Sequence, residues 1–290
     1  MSNTFLYVLS VLIWGSTWLA IEFQLGVVAP EVSIVYRFFL AALCLFIFCY
    51  YKGLSLKFNL KSHLWFVALG LLLFGLNYIL AYRAQEHITS ALAAIAFSMM
   101  LWMNIVLSRV FFGTRATLRV LLGAAMGIVG IIVIFAPQID RVSLGDAVFS
   151  GSVLALGGAL AASCGNMASQ AAQTRALPVV QSNAWGMLYG AILTGLFAVF
   201  SGYAFTFDAT FTYIASLVYL AVFGSVIAFG AYLTLVGRIG AHRAGYAAVM
   251  WPVVAIALSM AFEGLRLDVS IVVGTSLVLL GNLLVLKRGA

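Results

Sequence analysis

Apolar residues in this chain run in blocks of about 20, separated by short clusters that hold most of the Lys, Arg, Asp, Glu and Pro. A helix rises about 1.5 Å per residue, so a block of that length matches the hydrocarbon thickness of a bilayer. The blocks predict ten membrane helices: Thr4 to Ile21, Val32 to Tyr51, Leu64 to Tyr82, Thr89 to Ser108, Leu118 to Ala136, Ala147 to Gln170, Val179 to Phe200, Tyr213 to Val236, Ala244 to Phe262 and Val269 to Leu286. The alternating ten-residue segments of a membrane β-barrel are missing from the pattern. A helix also satisfies its own backbone in lipid, so the expected class is an all-α integral membrane protein. The first block carries no Lys or Arg before it and is too long for a signal-peptide core. It is expected to remain as the first membrane helix.

Composition agrees with that solvent. Of 290 residues, 64% are hydrophobic and only 23 are charged, 15 basic and 8 acidic. A soluble domain would carry about a quarter of its residues as charges. A folded aqueous domain, a fused ATP-hydrolysing domain and nucleic-acid binding are therefore excluded as accounts of the chain and of its net charge of +7. With the N-terminus inside, eleven basic residues fall on the cytoplasmic side: Lys52, Lys57, Lys61, Arg109, Arg115, Arg119, Arg175, Arg238, Arg243, Lys287 and Arg288. Arg37, Arg83, Arg141 and Arg266 fall outside, and the eight acids map to outer ends or loops. This bias predicts cytoplasmic termini in a multi-pass protein of the cell inner membrane. Arg37, Arg83 and Arg109 are expected to snorkel from helix ends, leaving the membrane interior uncharged. Cys44, Cys49 and Cys164 show no metal-ligand spacing and read as small hydrophobes.

The chain also repeats itself. At an offset of 151 residues, Phe111, Gly113 and Arg115 match Phe262, Gly264 and Arg266, Gly123 matches Gly274, and Gly130 matches Gly281. Phe74-Gly75 matches Phe223-Gly224, and Pro30 matches Pro178, with small gaps. The two halves, 1–143 and 144–290, hold five predicted helices each. Five is odd, so the second half enters the membrane inverted, the usual build of secondary transporters.

These features resemble a known family. Trp14-Gly15-Ser16-Thr17 late in the first helix, the five-plus-five count, the Gly-x6-Gly spacing in the fifth and tenth helices and the Glu263-Gly264-x-Arg266 turn are similar to the ten-helix, EamA-like branch of the drug/metabolite transporter superfamily. The resemblance covers the whole chain. It implies export of amino acids and related metabolites through a central cavity walled by helices one, three and four of each half. Aromatic amino acid exporters form one subgroup. Phe112 stands in the first half where Glu263 stands in the second, so the role of that Glu is not duplicated.

Candidate cargo contacts are rings and weakly polar groups at helical spacing. Tyr7, Ser10, Trp14 and Thr17 share a face of the first helix; Gly75, Tyr78 and Tyr82 share one of the third, beside Asn77. Such a face can stack a ring and donate hydrogen bonds, although Tyr and Trp also form interfacial belts and a buried amide can act as helix glue. Ser98, Met99 and Trp102 in the fourth helix, Ser163 and Asn166 in the sixth, and Tyr246 and Trp251 in the ninth complete the candidate binding set. Pro252 lies mid-membrane and frees a carbonyl near Ala248. With the paired glycines Gly75 and Gly224 it makes the candidate hinge. Gly123/Gly127 and Gly186/Gly190 are candidates for helix contact or dimerisation, in a monomer or weak homodimer.

With no acid near a span centre, the expected cargo is neutral or zwitterionic, most readily an amino acid, aromatic ones included, exported by alternating access. Multidrug or other metabolite export is the alternative within the family. A membrane-embedded lipid-modifying enzyme would need a nucleophile, base or metal set in the membrane, and His63, His87 and His242 are expected in loops. A sensor or scaffold would lack a polar-lined cavity. No catalytic residue, metal or cofactor is expected.

Overall fold

A computed structural model describes residues 1–115, 117–139, 147–262 and 268–286. Asp140, Arg141, Asp146, Glu263, Gly264, Arg266, Lys287 and Arg288 lie outside the described residues. Among the described residues no strand occurs, and helices cover each predicted block: α1 (Asn3–Glu22), α2 (Pro30–Tyr51), α3 (Leu60–Gln85), α4 (Ser90–Phe112), α5 (Leu118–Ile139), α6 (Ala147–Gln173), α7 (Val179–Phe200), α8 (Phe211–Ile239), α9 (Ala241–Phe262) and α10 (Val269–Leu286). Eight of them, α1 to α4 and α6 to α9, are long and apolar enough to cross a membrane, and Leu118–Gly130 and Val269–Gly281 are shorter apolar helices.

Local chemistry sets the helix ends. The Ser2 hydroxyl accepts from the Phe5 amide at 3.2 Å, the Asn59 side chain from Ser62 at 2.9 Å, and the Thr89 and Thr210 hydroxyls cap α4 and α8 in the same way. Pro30 occupies the first turn of α2, where its missing N–H costs nothing. Gly113, at φ +66°, closes α4 in the left-handed conformation, with its amide donating to the Arg109 carbonyl at 3.1 Å. Both α3, capped by Asn59, and α9, whose Ala241 amide donates to Gln170 of α6, begin before their apolar cores. His63 and His242 are therefore not in loops, as expected, but in the first turns of these helices. The His63 Nδ1 lies 2.8 Å from the Tyr189 hydroxyl, and its ring meets Trp185 edge-on.

The helices pack in corresponding pairs: α1 on α9 and α6 on α4, α3 on α7 and α8 on α2, α3 on α6 and α8 on α1, with α2 on α7 and α5 on α10. Each long helix turns part of its surface into the protein. The rest is apolar and exposed, as with Phe39, Leu43 and Ile47 at four-residue spacing on α2, a face that only lipid can cover.

Glycine makes the closest approaches. A Cβ added at Gly130 would stand 2.5 Å from the Gly274 carbonyl oxygen, and one at Gly281 would stand 2.5 Å from that of Gly123. The two Gly-x6-Gly pairs thus cross, each glycine of α5 against the opposite glycine of α10, and the backbones touch. Gly186 and Gly190 of α7 take in the Phe74 ring and the Gly70 backbone of α3, so that GxxxG face is used within the chain. Both α3 and α8 leave α-helical geometry midway, in π-helical segments at Gly70–Leu76 and Leu220–Ile227. The paired glycines Gly75 and Gly224 lie inside them.

Gly130→Ala forces a methyl group into backbone atoms and is expected to cost about 1–3 kcal/mol, seen as a lower melting temperature of the detergent-purified protein. Gly230→Ala, where an added Cβ meets nothing within 4 Å, should be neutral or stabilising by the ordinary Gly-to-Ala helix gain. Equal melting of the Gly130 variant and the wild type would contradict the close α5–α10 contact.

Candidate functional site

Six helices, α1, α3, α4, α6, α8 and α9, enclose a cavity among the π segments. Its volume is about 50 Å³. The walls are nearly closed on one another. They carry seven aromatic rings, from Trp14, Trp18, Tyr78, Phe97, Phe229, Tyr232 and Trp251. Trp14 is their hub, with ring centroids 4.7 Å from Phe229, 4.8 Å from Tyr232 and 5.2 Å from Trp251, tilted or edge-to-face geometries favoured by ring quadrupoles. Its indole N–H donates to the Gly224 carbonyl at 2.9 Å. That carbonyl belongs to the π segment of α8, where the widened turn leaves backbone oxygens off the regular ladder.

Five of the predicted binding residues therefore meet in one place: Trp14, Asn77, Tyr78, Asn166 and Trp251. Two of them bring unused hydrogen-bonding capacity. The Asn77 amide donates to the Leu73 carbonyl at 3.2 Å, but its Oδ1 has no partner, and neither has the Trp251 indole N–H, although both residues are buried. Unpaired buried polar atoms cost about 1–3 kcal/mol each; on a cavity wall they suit a ligand. Asn166 is more committed, its amide lying 3.2 Å from the Tyr232 hydroxyl and 3.3 Å from Asn104 Oδ1.

The other candidates are placed elsewhere. The Ser98 hydroxyl donates to the Ile95 carbonyl in its own helix, and the Ser163 hydroxyl donates to the Met100 carbonyl, joining α6 to α4. Trp102 turns to the Ala124 carbonyl and Tyr246 to that of Val120, both on α5. Met99 sits at a break in α4, and the neighbouring Met100 faces the cavity instead. Tyr82 lies behind the wall. Pro252 is buried within α9. The wall also holds Trp18, Phe97, Phe229 and Tyr232, which the sequence pattern does not single out because the spacing of rings along a helix does not fix which ring faces inward.

Arg37 overturns a sequence expectation. α2 begins at Pro30, so Arg37 lies about 10 Å along the helix, and its side chain turns inward and is 0% exposed. Its Nε donates to the Ser225 hydroxyl at 3.0 Å, and its terminal nitrogens donate to Tyr82 at 3.4 Å and Tyr78 at 3.3 Å. Its guanidinium carbon stands 4.4 Å from the centre of the Tyr78 ring. Among the described residues it has no acidic partner. Snorkelling fails because these acceptors on α3 and α8 lie inward. The protein interior is therefore not uncharged.

The two ends differ. At the end holding the start of α2, Arg83 grips the buried Glu31 through two bonds of 2.8 and 2.9 Å. It also donates to Glu86 at 3.0 Å and to the Tyr203 hydroxyl at 2.8 Å. This ties α2, α3 and the segment after α7 together. At the opposite end a polar cleft between α6 and α8, lined by Gln170, Gln173, Thr234 and Arg238, has about 370 Å³ that admits water. Asn166, Gln170 and Gln173 form a polar row on α6 running from the cavity toward that cleft.

Comparison with known proteins agrees with this architecture. The profile of the EamA-like transporter family matches residues 1–136 and again 149–287. The "Uncharacterized transporter YoaV" of Bacillus subtilis (strain 168) is 23% identical over 284 residues, covering 97% of this chain and 96% of that protein. "Protein PagO" of Salmonella typhimurium (strain LT2) is 28% identical over 127 residues, 44% of this chain and 42% of its own. A solved crystal structure at 19% identity superposes with a TM-score of 0.79 over 98% of this chain and 96% of its own, which shows the same fold.

Glu31→Gln keeps the shape of the Arg83 grip and removes its buried charge, at an expected cost of about 1–3 kcal/mol. The melting temperature should fall, and the double variant with Arg83→Gln should lose less than the sum of the two single losses, because both changes remove the Glu31–Arg83 bonds while only the second removes those to Glu86 and Tyr203. Additive losses would show that the pair is not coupled.

Proposed function

Because this chain belongs to the EamA-like transporter family, we propose that it exports small zwitterionic metabolites, most readily amino acids with aromatic side chains, by alternating access across the cell inner membrane. It is a multi-pass membrane transporter and not an enzyme. The observation that carries the cargo class is the cavity itself. Seven rings around two unpaired polar groups, Asn77 Oδ1 and the Trp251 N–H, suit a planar apolar body with a small polar head.

The proposed architecture is ten spans in two inverted units, 1–143 and 144–290, with cytoplasmic termini. The twofold profile match, the corresponding helix pairs and the crossed glycines of α5 and α10 support it. In this frame the Arg83 end faces outward and the α6–α8 cleft faces the cytoplasm. Cargo enters along the Asn166–Gln170–Gln173 row and leaves when the Arg83 grip parts. The hinges are Gly75 and Gly224 in the π segments and Pro252 in α9, where the backbone ladder is already interrupted.

Proteoliposomes loaded with labelled amino acids provide the test. Tryptophan and phenylalanine should move faster than in empty vesicles. Trp14→Ala should lower affinity for them about three- to tenfold more than for leucine, while Pro252→Ala should slow turnover with expression intact. Absence of any amino acid flux would sink the reading, and equal losses for every cargo would remove Trp14 from recognition.

A further inference from the structure

We infer that Arg37 is the seat of the substrate's carboxylate, an inference that rests on the proposed amino acid cargo and specifies how its polar head is held. A guanidinium cannot shed its proton in a protein, and an ion taken out of water costs several kcal/mol unless an opposite charge repays it. Arg37 is fully enclosed, yet the groups around it are the hydroxyls of Ser225, Tyr78 and Tyr82 and the rings of Tyr78 and Phe38. The nearest acid along its own helix, Glu31, has both oxygens committed to Arg83. Among the described residues the positive charge therefore has no counter-ion.

Its position is that of a receptor for cargo. Tyr78, against which it stacks, is a cavity wall, and so is Thr17. The Thr17 methyl and an Arg37 terminal nitrogen lie 2.9 and 3.2 Å from the point that a Cβ at Gly224 would occupy, so glycine lets the guanidinium pack directly behind the cavity wall. Of the five guanidinium N–H groups, three have acceptors, and those to Tyr78 and Tyr82 are long. Enough donors remain for the two parallel bonds by which arginine grips a carboxylate. A carboxylate group brings one negative charge to pair with the single positive charge of the guanidinium, whereas a phosphate dianion would bring a second that nothing here offsets, so the carboxylate is the better match. The indole or phenyl body then lies against the aromatic wall, whose Trp14, Phe229 and Trp251 rings touch one another here and must part to admit it.

The test is equilibrium binding to the purified full-length protein with four probes: L-tryptophan, L-tryptophanamide, tryptamine and indole-3-propionate. In the wild type the two carboxylates should bind about tenfold or more tightly than the two probes without one. In Arg37→Gln this preference should fall to about one, with the amide and amine bound no more weakly than before. Arg37→Lys, read in parallel in case the Gln variant does not fold, should keep the preference but weaken carboxylate binding about tenfold, because the charge stays and the fork is lost. Binding of indole-3-propionate without tryptophan would overturn the amino acid reading and leave Arg37 as a carboxylate seat. A preference unchanged in both variants, or an equal loss for all four probes, would overturn the assignment of Arg37.

Discussion

The π-helical turn at Leu220–Ile227 is the constraint on which the rest of the site depends. In hydrocarbon every backbone carbonyl must find a donor within the protein, and a widened turn displaces several from their usual partners. Gly224 gives its carbonyl to the indole of Trp14, and the Ser225 hydroxyl closes back on Leu220 while accepting from Arg37. One irregular turn thus anchors the aromatic hub from α1 and the buried cation from α2. A regular helix at this position would engage the Gly224 carbonyl in its own ladder.

The opposite π segment, Gly70–Leu76, does different work. There Gly70 and Phe74 are pressed into Gly186 and Gly190 of α7, so α3 is held by close packing where α8 is held by hydrogen bonds. Two corresponding helices are interrupted at corresponding places and secured by different forces. In the proposed inverted frame this difference allows the halves to move unequally about one cavity. In the same proposed frame, the touching backbones of α5 and α10 form a rigid side beside the moving parts.

Charge is distributed to match. The Arg83 cluster closes one end with charge-assisted bonds that are strong where Glu31 is buried and open to water where Arg83 is 27% exposed. The other end is closed by neutral amides, with Gln170 accepting from the Ala241 amide and Gln173 donating to the Leu233 carbonyl. Neutral amide contacts are weaker than a buried, charge-assisted ion pair, and the polar cleft lies at that more weakly closed end.

The membrane solvent, the helical class and the place of each helix were legible in the sequence, because apolar run length and flanking charge are local properties. So was the repeated Gly-x6-Gly spacing, but that its two copies cross on α5 and α10 was not, since a spacing does not say which helix lies opposite. The site was legible only in part. Trp14 and Trp102 read alike as membrane tryptophans, and Ser163 and Asn166 lie one turn apart on the same polar face. Tertiary structure decided that Trp14 and Asn166 face the cavity while Trp102 and Ser163 serve as helix contacts. It also decided that Arg37, which stands near a helix end in the sequence, is buried. The physical reason is common to all three: the rotation of a helix about its axis, and the destination of a long side chain, are set by acceptors and gaps on neighbouring helices, which no single segment encodes.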